Sequence, residues 1–159
     1  MVLGIGAIVL IAGSSGTDEG GDEAAAPVNI GEPIAVGEAE WVVTNARKVS
    51  ELSSSFGTSR QGNFVVVDFT LRNDGSEQVT LSEGDIKLVD DQDRTFETDS
   101  DLWEFVEGER NVFLEAVNPG VTEEGEAIYE IPDDAANFQA EVAELGSFTG
   151  EPGRVNLGL

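Results

Sequence analysis

The stretch Phe64-Val65-Val66-Val67-Asp68-Phe69-Thr70-Leu71-Arg72-Asn73 constrains this chain more than any other. Val65, Val67, Phe69 and Leu71 recur with a period of two, and Asp68, Thr70 and Arg72 alternate with them. An extended strand gathers the first set on one face and the second on the other, whereas a helix would scatter both. Asn73-Asp74-Gly75 then supplies turn chemistry. After Pro27 the same grammar fills the chain, with strand-type runs at 34–36, 40–49, 77–81, 85–89, 95–97, 126–131, 139–145 and 154–157, and a turn at 90–93. Only 101–106 and 133–138 read as helical turns. About nine short strands broken by turn residues predict an all-β sandwich or barrel.

Charge and absences narrow the function. Acids outnumber bases 32 to 8, for a formal charge of -24. Residues 1–26 hold four of the acids and no base, so -20 belongs to the rest. That charge repels nucleic acid, whose affinity comes largely from Lys and Arg at phosphates, and it repels anionic headgroups. No nucleic-acid partner is expected, and any membrane association would run through the N-terminal segment alone. Only Lys48 and Lys87 represent lysine, against six arginines. Self-repulsion of this size is relieved by salt, whose screening length falls from about 10 Å at 0.1 M to roughly 3 Å at 1 M. Two readings of the acidity stand: halophilic adaptation, or an ordinary acidic secreted protein. Histidine and cysteine are absent and Met1 is the sole methionine. Zinc and copper sites, Ser-His-Asp and Cys-His nucleophile systems and thiol redox chemistry therefore lack their groups.

The N-terminus speaks to location. Val2 to Ala12 is an uncharged apolar run, too short to span a bilayer, which takes about 20 residues. It matches a signal-peptide core in length but has no basic flank before it. We read residues 1–12 as a truncated signal or anchor segment; a buried N-terminal strand is the other reading. Ile11-Ala12-Gly13-Ser14 resembles a lipoprotein cleavage box with serine in place of the lipid-bearing cysteine. Residues 13–29 are small and acidic, which predicts a flexible, disordered linker, and residues 30–159 form the folded domain. An apolar segment, a tether and a compact domain together predict an extracytoplasmic protein, envelope-anchored or secreted.

Motif order carries a resemblance. Gly62-Asn63-Phe64-Val65-Val66-Val67-Asp68, Leu71-Arg72-Asn73-Asp74-Gly75 and Ile86-Lys87-Leu88-Val89-Asp90 come first. Phe113-Leu114-Glu115, Asn118-Pro119-Gly120, Gly125 and Tyr129-Glu130-Ile131-Pro132 follow. In that order they resemble the telokin-like, immunoglobulin-like domain of unknown function of bacterial and archaeal envelope proteins. A secreted mycobacterial immunoprotective antigen belongs to the same structural group. The resemblance implies an immunoglobulin-like antiparallel β-sandwich and an extracytoplasmic location, and it implies no catalytic residue. Asn118-Pro119-Gly120 suits a type II turn, with proline fixing φ and glycine taking the positive φ.

Three groups of residues are candidate sites. Asp90, Asp91 and Asp93, with Glu97, Asp99 and Asp101 behind them, offer oxygens for a structural calcium ion, although Arg94 intrudes and the spacing is not that of an EF-hand. The alternative is a solvated acidic hairpin, and no other cofactor is expected. Trp103 and Phe105 sit in the long connection 99–125, either as an exposed partner-binding pair or as a short helix plugging one end of the sandwich. Phe56 lies in the polar stretch 50–62, read as a loop that either binds a partner through Phe56 or simply links two strands. Trp41 falls in an alternating strand and reads as core. Too many acids are present for spacing to select a catalytic pair. The expected function is a non-enzymatic module that binds a protein or envelope component. A purely structural acidic spacer and a calcium-stabilised adhesion-type domain are the alternatives.

Overall fold

The computed structural model describes residues 26–145 and 150–159. The apolar segment 1–12 and the linker as far as residue 25 lie outside the described residues. The strands are β1 (Val28–Asn29), β2 (Pro33–Val36), β3 (Ala39–Ser53), β4 (Ser59–Asn73), β5 (Val79–Thr80), β6 (Ile86–Val89), β7 (Thr95–Phe96), β8 (Ala116–Val117), β9 (Thr122–Glu130), β10 (Gln139–Val142) and β11 (Gly153–Asn156). One sheet has the order β2-β3-β4-β9, the other β1-β11-β10-β6-β7, and β5 pairs with β8 in a two-stranded ribbon. Pairing is antiparallel except between β1 and β11. The expected sandwich is what the chain forms. β1 takes the last two residues of the expected linker into the folded domain.

The core lies where the alternation of β4 places it. Val65, Val67, Phe69 and Leu71 meet Trp41 and Val43 of β3, Ala127 and Tyr129 of β9, and Ile86, Leu88, Ala140, Val142 and Val155 of the facing sheet. Burying these side chains contributes roughly 1.5–3 kcal/mol for each large one. Two polar tips span the layers. Trp41 Nε1 donates to Ala143 O at 2.9 Å, and Tyr129 Oη donates to Ile86 O at 2.7 Å. A buried Trp or Tyr needs such a partner, so these bonds fix how the sheets dock. Gly125 faces the same core, where a Cβ would sit 2.4 Å from Phe69 Cζ and 2.8 Å from Val112 Cγ2, so no side chain fits there.

Four corrections to the sequence reading follow. First, residues 50–62 are not a loop: β3 runs to Ser53, β4 starts at Ser59, and only 54–58 turn. Polar residues on both faces masked a ladder that two long strands complete by backbone pairing. Second, the face of β4 that carries Asp68, Thr70 and Arg72 also holds apolar residues the alternation did not single out. Phe64 and Val66 join Leu52, Ile128, Leu102 and Phe105 in a separate buried cluster. The cover comes from Ser100–Phe105, a 3₁₀ segment N-capped by Asp99, whose side chain accepts from Asp101 N. Third, 133–138 forms turns and no helix. Fourth, β1 and β8 were not anticipated, being two residues long and without alternation.

The turns behave as their chemistry requires. Val121 N donates to Asn118 O at 3.1 Å and Gly120 takes φ +79°, the geometry of a type II turn. Asn73 clasps this turn to its own. Its buried Nδ2 donates to Glu77 O and Val117 O, and its Oδ1 accepts from Gly75 N. Its backbone N donates to Val121 O while its carbonyl accepts from Gly120 N. Two motifs far apart in sequence thus meet at one side chain.

Candidate functional site

A groove of about 630 Å³ runs between the tip of the β3–β4 hairpin and the connection after β7, walled by Ser54, Phe56, Trp103, Glu104, Phe105 and Glu107 among others. The three aromatic residues singled out from sequence therefore share one site, but they do not share one role. Phe56 is 87% exposed at the tip of the turn. Ser54 Oγ accepts from Phe56 N and Thr58 N, and Gly57 takes φ +88°, so the turn is built rather than loose. Trp103 is half-buried and stacks on Phe113, with centroids 5.7 Å apart and planes 9° off parallel. Phe105 is only 7% exposed and packs in the second cluster, so it acts as the plug and not as half of an exposed pair.

The stacking continues inward. Phe113 meets Phe69 at 6.4 Å, and Phe69 meets Trp41 at 5.6 Å, both tilted. Four rings thus lead from the groove wall to the centre of the sandwich.

Behind the groove the second face of the sheet holds a charge cluster that sequence reading missed. Asp68 and Glu126 are cross-strand partners on β4 and β9, and both are buried. Arg47 reaches Asp68 Oδ2 at 3.2 Å and Glu126 Oε2 at 3.4 Å. Arg110, from the connection, reaches Asp68 Oδ1 at 3.2 Å and Glu126 Oε2 at 2.8 Å. Glu107 N donates to Glu126 Oε1 at 3.1 Å, and Glu126 N donates to Arg110 O at 3.0 Å. Burial, followed by the hydrogen bond shared with Asp68, pushes the Glu126 carboxyl above its ordinary value. Strict alternation from Trp41 would aim Arg47 into the core. A bulge between Val43 and Asn45 adds a residue and turns it outward onto the two carboxylates. The available signal was Asp68 itself, a lone acid in a run of apolar residues.

The acidic loop is organised otherwise than expected. Asp90 is buried, and its Oδ1 accepts from Gln92 N at 3.0 Å and Arg94 N at 2.9 Å. Its Oδ2 takes Arg94 Nε at 2.8 Å and Nη2 at 2.7 Å. Desolvation pushes its pKa up, yet the bonds from Arg94 and Gln92 outweigh it and hold the carboxyl below its ordinary value. Asp91 accepts from Asn137, and Asp93 is exposed at φ +60°. Glu97 pairs with Lys87 and Asp99 caps the 3₁₀ segment. The three acids expected as calcium ligands, Asp90, Asp91 and Asp93, thus each have a different setting. Arg94 already neutralises the central carboxylate, and among the described residues no group of three acids is placed to hold a metal ion.

Two packed, mainly antiparallel sheets make the chain an immunoglobulin-like β-sandwich. The chain belongs to the family of domains of unknown function DUF4352, whose model matches residues 28–151. Among solved structures it is similar to the yjhA protein of Bacillus subtilis, at 14% identity over 81% of this chain and 98% of that one, with a TM-score of 0.62. It is similar also to the secreted protein MPT63 of Mycobacterium tuberculosis, at 11% identity over 84% and 99% of the two chains, with a TM-score of 0.57. A candidate lipoprotein of Bacillus subtilis, ycdA, matches at 13% identity over 79% of this chain and 38% of that one, with a TM-score of 0.53. At such identities the likeness establishes the fold. Comparison with curated proteins finds no match.

Proposed function

We propose that this chain is a non-enzymatic extracytoplasmic module that holds a protein partner in the groove between the β3–β4 hairpin tip and the 3₁₀ segment. The exposure of Phe56 carries the reading. A large ring held 87% in water on a structured turn, facing a half-buried Trp103 across a groove, is the composition of an interface anchor. Location outside the cytoplasm is supported by the apolar run at residues 2–12 and by the secreted and lipoprotein-like character of two structural neighbours. The absence of His and Cys supports a non-catalytic role, as does the setting of Asp68 and Glu126. Those two carboxylates are cross-strand neighbours bound by two arginines, not groups facing across a water-filled cleft as glycoside hydrolysis requires.

A photo-crosslinking residue in place of Phe56, in the protein as expressed in its native envelope, tests the reading. The expected result is one reproducible protein adduct that is missing when the crosslinker replaces Glu77 instead. No reproducible adduct at 56 would leave the acidic spacer as the better account.

A further inference from the structure

The charges around the groove specify its occupant further, given the groove as proposed above. The 12 ion pairs among the described residues engage all six arginines and Lys87 with the chain's own acids. The groove continues into a shallower one of about 230 Å³, with which it shares Ser53, Phe105 and Glu107 and whose floor includes Leu52, Val66 and Ile128. Along this combined channel the acids are Glu51, Glu104, Glu107 and the buried Glu126, and the base is Arg47. Arg47 is committed to Asp68 and Glu126. None of the ion pairs involves Glu51 or Glu104, and Glu107 has only a 3.6 Å approach to Arg110. The channel therefore offers carboxylates without counterions and the two aromatic faces of Phe56 and Trp103, and it offers no uncommitted cation.

From this charge complementarity we infer that the occupant is an extended segment of a partner protein in which Lys or Arg alternates with apolar side chains. An extended segment sends successive side chains to opposite sides. Apolar ones settle against the exposed ring of Phe56 and the half-buried face of Trp103, while basic ones meet Glu51, Glu104 and Glu107. An anionic segment would face Glu51, Glu104 and Glu107 and would have to compete with Asp68 and Glu126 for Arg47, the one base lining the channel.

The test uses the full chain and fluorescence anisotropy with short labelled peptides. One alternates Lys and Leu, a second alternates Glu and Leu, and a third alternates Lys and Gly. Because any cationic peptide is drawn to so acidic a protein, the control is Glu38→Gln with Glu77→Gln, which removes the same charge as Glu104→Gln with Glu107→Gln. It does so beyond the Asn73 end of β4, about 17 Å along the strand from the level of Asp68 and Glu126, where Glu107 is bonded. The Lys–Leu peptide is expected to bind best, and Phe56→Ala and the Glu104/Glu107 pair each to weaken it about five- to tenfold, with the control pair nearly silent. Equal loss from both acid pairs, or tighter binding of the Glu–Leu peptide, overturns the inference. A crosslinked partner whose captured segment is acidic would overturn it while leaving the binding role intact. Loss of the adduct at 56 removes the binding role itself.

Discussion

Asp68 and Glu126 face each other directly across β4 and β9, two buried acids in one cross-strand pair, and Arg110 binds both. Like charges opposite one another destabilise a sheet unless something neutralises them. Arg47 neutralises them from β3 and Arg110 from the connection, so the Arg110 contact also anchors that connection to the sheet. Arg110→Ala should therefore cost about 2–4 kcal/mol in urea denaturation, the lower part of the buried-pair range because the arginine is about a third exposed. Adding Asp68→Asn and Glu126→Gln should restore most of the loss. Without that recovery, the cost came from packing and not from stranded charge.

Glu126 and Asp90 should give opposite pH signatures. The folded pKa of Glu126 is raised above 4.5, so the fold gains from this group as pH falls from neutral toward 4.5, and Glu126→Gln should erase that gain. The folded pKa of Asp90 is lowered below 3.8, so its stabilisation is present above 3.8 and disappears as pH falls through the folded value. The stability difference between wild type and Asp90→Asn should then be full near neutral pH and shrink in acid. Urea midpoints measured from pH 2 to 7 would display both trends.

Asn73→Ala should cost about 2–3 kcal/mol, because it orphans Glu77 O, Val117 O and Gly75 N at once. Asn73→Asp should lose nearly as much, since it keeps the acceptor for Gly75 N but turns an oxygen toward two carbonyls. A mild Asp variant in thermal denaturation would mean that the turn bond alone matters.

The melting temperature should climb between 0.1 and 3 M KCl. With 32 acids against 8 bases the carboxylates far outnumber the cations, and their mutual repulsion is what salt screens. A flat response would identify the acidity as incidental.

Much of the sandwich could be read directly, and the limits have definite causes. Val65, Val67, Phe69 and Leu71 declared their face because their neighbours were polar, and Asn118-Pro119-Gly120 declared its turn because proline and glycine each fix a dihedral. Phe56, Trp103 and Phe105 were legible as unusual residues in long connections. That they wall one groove depended on where a hairpin of two 15-residue strands turns, which polar strand residues concealed. Arg47 was illegible for a different reason. Its outward direction follows from the bulge between Val43 and Asn45, and no glycine or proline marks that bulge. Phe105 turned inward because its partners Phe64 and Ile128 come from strands distant in the chain.

The row of rings from Trp103 through Phe113 and Phe69 to Trp41 has an optical consequence. The chain has only two tryptophans, one at each end of that row, the outer on the groove wall and the inner fully shielded. Their emission should separate into a component that responds to quenchers and groove occupancy and one that responds only to unfolding. The unlabelled protein thus contains a reporter and its internal reference, and a single spectrum can separate occupancy from loss of the fold.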